Sequence, residues 1–309
     1  MKLLEMLRAY HRQVLKLPTD LSCCNPSLAR TPEGWCMTVR ALDPIRGHGA
    51  DDGLSSENWL IQMDADFVQQ TVSRTDDSGL RRHPECRNGL EDGRVFFWRG
   101  ELWALFSGFR REGQSFFNTM VLARLEQNTW VDRQVLLSPF GYVREKNWMP
   151  CVVGDDLFVV YSVEPLRVFQ VVDGRLQPCE PAPENRTTSL AGSIVSGSSN
   201  LVATEEGCWA VVHHRRKLGA IRKLYLKHWK KDPEYQIKKV IFDHHMVKFD
   251  RSFNLVARSR AFSFEFEGVE FCSGMHLEHG RVYLSYGVRD RIPVILEADF
   301  EEVKRLIGF

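Results

Sequence analysis

The sequence has no excess of charge of either sign and no long apolar run. Its 309 residues include 41 lysines and arginines against 40 aspartates and glutamates, for a formal net charge of +1 at pH 7. Such a balance gives no global field that would attract nucleic acid or an anionic membrane. Glu5, Arg8 and His11 interrupt what would have to be the apolar core of a secretory signal, and no later segment approaches a membrane span. We therefore expect a cytoplasmic protein that has no membrane partner.

Cysteine is present but lacks the spacing of a disulfide framework or a metal site. The eight cysteines are scattered, mostly in strand-like runs, and predict reduced thiols in a core. The pairs His213-His214 and His244-His245 predict no metal site either, because neighbouring strand residues point to opposite faces and no acidic ligand is suitably spaced. Phosphate loops, nucleophile elbows and dinucleotide fingerprints are absent, so we expect no cofactor.

The sequence does contain one unit that is repeated five times. In each unit, small or polar residues run into an apolar strand, a tight turn and a more aromatic second strand. The units cover residues 25–40, 91–106, 147–161, 198–213 and 272–286. Their turns have the residues that a hairpin needs where φ is positive. These turns are Pro32-Glu33-Gly34, Arg99-Gly100, Gly154-Asp155-Asp156, Glu205-Glu206-Gly207 and Glu278-His279-Gly280.

Five phased hairpins predict an all-β fold, a five-bladed β-propeller with four-stranded blades around a central channel. We expect one domain over residues 1–309, because closed all-β folds often run longer than average. Residues 1–18 are predicted to form a short amphipathic helix on the outside of the propeller. Residues 299–307 are predicted to form a C-terminal helix, with Asp299 as its N-cap, acids in its first turn and bases near its end.

One basic stretch with interleaved aromatic residues, between His213 and Lys231, has a composition that could suit RNA. Because the chain as a whole is neutral, a solvated face or a loop beside an anion site explains this stretch better. We expect no nucleic-acid partner.

The innermost strand of each blade lines the channel of a propeller, so the starts of the five first strands should gather around one mouth. Polar groups that converge on a concave surface predict a ligand site. The alternative is that the pairs Asp92–Arg94 and Glu145–Lys146 merely hold blades together. The first strands contribute Asn25, Glu91, Asp92, Arg94, Lys146, Asn147, Ser199 and Ser273, and the ends of the second strands contribute Arg40, Arg110, Glu164, His213 and Asp290.

At these residues the chain resembles glycoside hydrolase family 130, five-bladed propeller enzymes that phosphorolyse or hydrolyse β-mannosides. Residues 89–96, Gly-Leu-Glu-Asp-Gly-Arg-Val-Phe, resemble the family's Glu-Asp-Pro-Arg motif, and residues 145–148 resemble its lysine-containing segment in blade 3. Residues 208–213 resemble its strand that ends in histidine, and residues 271–274 with 286–290 resemble its closing motifs. The resemblance spans residues 23 to 298. Residues 145–150 are similar to an offshoot that is associated with bacterial glycosyltransferases.

The resemblance implies a role for individual residues. Asp92 becomes the single general acid, which protonates the glycosidic oxygen during inversion. Inorganic phosphate becomes a co-substrate that Arg94, Lys146 and His213 bind, with Arg40, Arg110 and Arg215 in reserve. The ligand is then an oligosaccharide or a sugar phosphate. The residues expected to bind the sugar are Asn25, Arg40, Glu91, Asn147, Ser199, Glu270, Tyr286 and Asp290.

The chain departs from the family pattern at Gly93, which replaces the proline and loosens the backbone beside Asp92. The sequence therefore leaves phosphorolysis, hydrolysis and glycosyl transfer open. A different class also stays open, a non-catalytic propeller that binds glycans or scaffolds a glycosyltransferase. The acid together with the cationic cluster favours an enzyme.

Overall fold

A computed structural model of the chain describes residues 1–42, 56–179, 195–217, 219 and 240–309. The described residues form five antiparallel sheets, which we call blades 1 to 5 in chain order. The first strand, β1 (Tyr10–Val14), belongs to the last blade. Blade 1 contains β2 (Ser22–Thr31), β3 (Gly34–Leu42), β4 (Glu57–Met63) and β5 (Gln69–Arg74). Blade 2 contains β6 (Leu90–Trp98), β7 (Glu101–Glu112), β8 (Ser115–Glu126) and β9 (Thr129–Leu136).

The later blades repeat this arrangement. Blade 3 contains β10 (Met149–Val153), β11 (Asp156–Val163), β12 (Leu166–Val172) and β13 (Arg175–Cys179). In blade 4 the inner strand is interrupted, and the strands are β14 (Val195–Gly197), β15 (Val202–Thr204), β16 (Gly207–Lys217), β17 (Val240–Phe249) and β18 (Leu255–Arg258). Blade 5 contains β19 (Glu270–Glu278), β20 (Arg281–Val288), β21 (Ile292–Asp299) and β1.

All five predicted hairpins are present, and each supplies the two inner strands of one blade. The turns also lie where the sequence predicts them. Arg99 and Gly100 have φ of 52° and 79°, and His279 and Gly280 have φ of 50° and 74°. Positive φ at both central residues is what a type I′ hairpin turn requires. The five-bladed propeller is therefore confirmed.

Three short helices accompany the strands in the described residues. They are α1 (Ser78–Arg81), a 3-10 turn (Pro84–Cys86) and α2 (Phe300–Ile307). The predicted C-terminal helix is confirmed as α2, whose N-cap Asp299 accepts a hydrogen bond from the Glu302 amide at 2.7 Å. None of the helices in the described ranges has the length and apolar character needed to cross a membrane.

The predicted N-terminal helix is wrong. Only one turn forms, in which the amides of Met6 and Leu7 donate to the Leu3 carbonyl, and then the chain extends into β1. β1 pairs with β21 over five residues and so covers the outer edge of blade 5. An uncovered edge strand leaves a row of backbone groups unpaired, and satisfying them outweighs a weak local helical pattern. Leu3 and Leu7 still bury their side chains, at 0% and 8% exposure.

One hydrophobic cluster fills each seam between neighbouring blades. Because successive strand residues point to opposite faces, a single strand serves two seams. Val95 packs between blades 1 and 2, whereas Phe96 packs between blades 2 and 3. The inner strands are consequently apolar on both faces. All eight cysteines are free thiols, and all but Cys179 are buried.

Two of the turn glycines lie where no side chain fits. A Cβ added at Gly34 would lie 2.2 Å from the Met63 carbonyl oxygen, and one at Gly207 would lie 2.0 Å from that of Phe249. In both blades the hairpin turn therefore passes directly against the end of the third strand. Gly100 has positive φ as well, but nothing lies within 4 Å of its added Cβ.

We expect Gly34→Ala and Gly207→Ala to destabilise the fold far more than Gly100→Ala. Strain and collision together should cost roughly 3 kcal/mol or more at the crowded sites. Gly100→Ala, the matched control, should cost about 1 kcal/mol because only its left-handed backbone is strained. Urea unfolding of the three variants measures the difference. Equal costs at all three glycines would contradict the close approach of turn and third strand.

Candidate active site

An asparagine or aspartate in the left-handed conformation lies on the inner strands of blades 1 and 2 and just before the inner strand of blade 3. Asn25, Asp92 and Asn147 have φ of 49°, 50° and 64°. At the first two, the strand pairing also shifts register, between Cys24 and Ser27 and between Glu91 and Arg94. Asparagine and aspartate adopt this conformation more readily than other residues with a side chain. These bulges bring the side chains of neighbouring blades together, and Asn25 Nδ2 donates to Asp92 Oδ1 at 2.6 Å.

Hydrogen bonds near the channel connect blades 4, 5, 1 and 2 in turn. The hydroxyls of Ser273 and Ser285 donate to the Pro26 carbonyl at 2.9 and 2.6 Å, which ties blade 5 to blade 1. Ser198 Oγ donates to the Cys272 carbonyl at 2.5 Å and ties blade 4 to blade 5. The Val95 amide donates to Ser27 Oγ at 3.0 Å and ties blade 2 to blade 1. Of the polar residues predicted at one mouth, Ser273 takes part in these bonds, whereas Arg110 and Glu164 pair instead with Glu112 and Arg258.

Arg94 adds contacts between blade 2 and blades 3, 4 and 5. Its side chain is fully buried and extends from blade 2 to three other blades. Nε donates to the Ser198 carbonyl at 3.0 Å, Nη1 to the Asp92 carbonyl at 2.6 Å and Nη2 to Asn147 Oδ1 at 3.3 Å. The guanidinium also lies 5.4 Å from the ring centroid of Phe271 in blade 5. Burial lowers the pKa of Arg94 from its ordinary value, against the opposing field of Asp92.

Glu91 is a second buried charge, and it joins three elements. Arg40 Nη2 and Lys146 Nζ donate to its two oxygens, the latter at 2.6 Å, and Asn118 Nδ2 donates at 3.4 Å. Burial alone would raise the pKa of Glu91, but Arg40 and Lys146 hold it below its ordinary value. The ion pair that joins blades 2 and 3 here is therefore Glu91–Lys146. Glu145 instead accepts from the Trp148 indole and the Tyr161 hydroxyl at 3.1 and 3.0 Å.

Asp92 sits beside this cluster with its carboxylate 13% exposed. Arg40 Nη1 donates to its Oδ1 at 3.1 Å. Burial would raise the pKa of Asp92, but the fields of Arg40, Lys146 and Arg94 and the hydrogen bond from Asn25 outweigh it and hold the pKa well below its ordinary value. Asp92 is therefore ionised in this arrangement of charges. Three cations, Arg40, Lys146 and Arg94, face only two carboxylates, Glu91 and Asp92. The cluster therefore has positive charge left over that can attract a further anion.

His213 lies against the same cluster and is 5% exposed. Its ring packs edge-on against Phe242 and Phe271, with centroids 5.2 and 5.0 Å apart. Burial and the positive charge of Arg94 lower the pKa of His213 to about 3. Of the three predicted phosphate ligands, His213 is thus neutral, Arg94 is fully buried, and only Lys146 has a substantially exposed side chain, at 28%.

The predicted sugar ligands divide into two groups. Asn25, Asn147 and Asp290 are partly exposed. The other five, Arg40, Glu91, Ser199, Glu270 and Tyr286, are buried.

Three members of the buried group have bonds that hold the fold together. Ser199 Oγ accepts the Val211 amide at 2.9 Å, and Tyr286 donates to Glu265 at 2.9 Å. Glu270 accepts the amides of Phe264, Glu265 and Phe266 at 2.7, 3.0 and 2.7 Å. Burial raises the pKa of Glu270 to about 7, although these three amides favour its charged form.

Gly93 has a local explanation in the packing behind Asp92. A Cβ added at Gly93 would lie 2.4 Å from Cε1 of Phe106, whose ring is fully buried. The phenyl ring occupies the space that a proline would need, so Gly93 and Phe106 form a matched pair. The loss of proline is thus compensated by a packed aromatic ring.

Two features of the site escaped the sequence prediction. Asn118 lies on the third strand of blade 2, yet it contacts Glu91 and Ser107 Oγ, the latter at 3.1 Å, and its backbone pairs with residues 143–145. The second feature is an exposed apolar segment that leads to Lys146. Leu137, Phe140, Tyr142 and Val143 are 75%, 38%, 59% and 58% exposed. The run Phe140-Gly-Tyr-Val143 outside any strand was the available signal.

The described residues contain no group of three or more His, Cys, Asp or Glu side chains that could hold a metal ion. The basic stretch considered for RNA lies partly outside the described residues, at 218 and 220–231. Arg215 is exposed at the end of β16.

No family model and no curated protein matches the chain. Solved structures do match its fold. A glycosyl hydrolase from Bacteroides ovatus is 14% identical, with 93% of this chain and 89% of that chain covered and a TM-score of 0.58. A β-1,2-mannobiose phosphorylase from Listeria innocua is 11% identical, with 96% and 99% covered and a TM-score of 0.58. A mannose phosphorylase from Leishmania mexicana, in complex with phosphate, is 14% identical, with 98% and 92% covered and a TM-score of 0.59.

These matches cover nearly the whole chain, and one similar structure is described as part of the GH130 family of mannoside phosphorylases. At 11–14% identity they establish a shared fold. The resemblance drawn from the sequence is therefore confirmed at the level of the five-bladed propeller.

We expect Arg94→Ala to destabilise the whole propeller. The variant removes a buried charge that donates to blades 3 and 4 and leaves Asn147 and the Ser198 carbonyl without their partner, at a cost of roughly 3–5 kcal/mol. Arg110→Ala is the matched control, because Arg110 is about a third exposed and pairs with Glu112. Its loss should cost up to about 1 kcal/mol. Thermal and urea unfolding compare the two, and similar losses would show that Arg94 does not hold the blades together.

Proposed function

We propose that this protein is a carbohydrate-active enzyme that cleaves or forms a β-mannoside-type bond with inversion, with Asp92 as general acid and inorganic phosphate as co-substrate. The observation that carries the proposal is a partly exposed carboxylate among three cations at the mouth of a five-bladed propeller. The structural neighbours that are described as phosphorylases of mannosides support the substrate class.

Cleavage of a glycosidic bond needs an acid, because the leaving alkoxide is a poor one. Asp92 is the carboxylate in the cluster with an exposed edge, whereas Glu91 is fully buried and paired with Arg40 and Lys146. A hydrolase of the inverting type would need a second carboxylate to activate water. Glu91 is badly suited to that task, since its two oxygens already accept from cations. The pairing of Glu91 therefore favours phosphate as the nucleophile.

Bound phosphate would also allow Asp92 to act as a proton donor. An ionised Asp92 cannot protonate anything, and Arg40, Lys146 and Arg94 keep it ionised. A dianion bound beside Asp92 would share those cations and add negative charge, and both effects raise the pKa of a carboxyl group. Binding of the co-substrate would thus convert Asp92 into its acidic form. This coupling favours phosphorolysis, or the reverse transfer from a sugar phosphate, over hydrolysis.

The proposed phosphate site combines different kinds of contact. Lys146 offers an exposed ammonium, Arg94 contributes positive potential from its buried position, and His213 contributes a neutral ring. Arg40 adds a second nearby guanidinium. Asn25, Asn147 and Asp290 would contact the sugar hydroxyls, whereas Arg40, Glu91, Ser199, Glu270 and Tyr286 are buried. Convergent cations are needed because stripping water from a dianion is costly.

The second candidate is a propeller that binds glycans without cleaving them, alone or beside a glycosyltransferase. The ionised Asp92 favours it, because a carboxylate that accepts hydrogen bonds from sugar hydroxyls needs no proton of its own. The exposed segment from Leu137 to Val143 also suits a binding surface next to the mouth. Turnover in the presence of phosphate separates the two candidates.

We expect Asp92→Asn to lower the release of sugar 1-phosphate from manno-oligosaccharides by at least about a hundredfold, the typical effect of losing a general acid. The fold should persist because Arg40 keeps its pairing with Glu91. Asp132→Asn, in the exposed pair with Arg124, is the control and should retain full activity. Product is measured with and without phosphate. Wild-type rates in Asp92→Asn would remove Asp92 from the mechanism.

We also expect anion binding to take up a proton. Sulfate is a suitable probe because it is a dianion that does not titrate near neutral pH. If bound anion raises the pKa of Asp92, the affinity for sulfate increases as the pH falls from 7 to 5, by up to about tenfold per pH unit. Calorimetry in buffers of different ionisation enthalpy measures the proton. The pH dependence should vanish in Asp92→Asn, and weak binding at every pH is expected in Lys146→Ala. Affinity that is independent of pH in the wild type would contradict the coupling.

A further inference from the structure

A second concave surface lies far from the mouth. It is a cleft of about 490 Å³ in the seam between blades 2 and 3. Trp98, one of its lining residues, ends β6, six residues after Asp92, which places it about 20 Å away along an extended strand. The cleft is lined chiefly by Trp98, Gln134, Asp156, Gln170, Val171 and Asp173. A ligand in this cleft would not compete with one at the channel mouth.

The polar side chains of the cleft lack protein partners. Gln134, Gln170, Asp156 and Asp173 form no side-chain hydrogen bond or ion pair with any residue that the structure describes. The polar groups at the channel mouth differ in this respect, because nearly all of them are bonded to one another. Four free polar groups in one concave surface offer donors and acceptors that a ligand can use.

The walls that present these groups are fixed. The Trp98 indole donates to the Asp155 carbonyl at 2.9 Å and packs against Trp103, with ring centroids 5.1 Å apart. Arg99 donates to the same carbonyl at 3.2 Å and lies over the Trp98 ring at 4.5 Å. Gln134 projects from β9 toward the turn of blade 3, where its Oε1 lies 3.3 Å from a Cβ added at Gly174. The contacts of Trp98 and Arg99 limit the conformational entropy that this wall of the cleft would lose when a ligand binds.

The composition of the cleft selects one class of ligand. A phosphate or nucleic acid would meet the carboxylates of Asp156 and Asp173, which outnumber the one guanidinium of the lining, Arg99. A metal ion would find only two carboxylates, and the described residues contain no group of three metal-binding side chains. Amides donate and accept, carboxylates accept from hydroxyls, and Trp98 and Val171 supply an apolar wall. A neutral polyhydroxylated ligand matches all of these groups.

We propose that the cleft between blades 2 and 3 is a second carbohydrate site, which binds a neutral oligosaccharide through Gln134, Gln170, Asp156 and Asp173. The site is independent of the proposed chemistry at Asp92. It holds a carbohydrate chain on the side of the propeller while the channel mouth remains accessible. Its volume lies within the range of small-ligand sites and accommodates about two sugar rings.

The test measures binding of three neutral trisaccharides, β-1,2-mannotriose, cellotriose and maltotriose, to the full-length protein. We expect at least one of them to slow hydrogen exchange in residues 166–174, which form β12 and the following turn. The double variant Gln134→Ala/Gln170→Ala should lose this protection and bind at least tenfold more weakly at the cleft. Gln114→Ala, an exposed glutamine in the turn between β7 and β8, is the matched control and should bind as the wild type does.

Hydrogen exchange also separates this proposal from the one above. Protection of residues 166–174 that persists in Asp92→Asn supports the second site, whether or not the protein turns over mannosides. Protection confined to residues 90–94 and 145–148 with every trisaccharide would overturn it, and so would unchanged binding in the double variant. Matching melting temperatures of the double variant and wild type exclude misfolding as the cause of a loss. Should the double variant unfold, Asp173→Asn, which keeps the shape of the turn, gives the same readout.

Discussion

The burial of Arg94 at the centre of the channel is the constraint on which the rest of the molecule depends. One guanidinium donates to its own blade and to blades 3 and 4, and lies against an aromatic ring of blade 5. A buried charge is tolerated only when its donors find acceptors, so the inner strands must present carbonyl and amide oxygens at this level. That requirement fixes the relative positions of blades that share no sheet. It also places charged side chains at the base of the candidate site.

The charges around Arg94 determine the electrostatics of the candidate site. Arg40, Lys146 and Arg94 face Glu91 and Asp92, and the one excess positive charge can attract an anion. The same surplus keeps Asp92 ionised. In the proposed mechanism, the acid function of Asp92 and anion binding are therefore coupled through electrostatics.

Backbone conformation serves both the fold and the site. Left-handed Asn25 and Asp92 interrupt the pairing of the inner strands of blades 1 and 2, and left-handed Asn147 precedes the inner strand of blade 3. Without these bulges, the period of two would direct the same side chains into the seams, where apolar clusters lie. Gly93 also serves both, because the absence of a side chain there allows the Phe106 ring to pack next to Asp92.

The five hairpins, their turns and the helix after Asp299 could be predicted from the sequence. These features depend on local signals, namely a period of two, positive φ at the turns and an N-cap. The N-terminal strand and the burial of several predicted ligands could not be predicted, because they depend on contacts made only in the folded chain. Residues 10–14, which the sequence pattern predicts to be helical, form β1 instead because they pair with the otherwise free edge of β21. The Ser199 hydroxyl is buried because it accepts the Val211 amide within its own hairpin. Glu270 and Tyr286 are buried with partners at residue 265, which lies before the hairpin that the sequence pattern identifies.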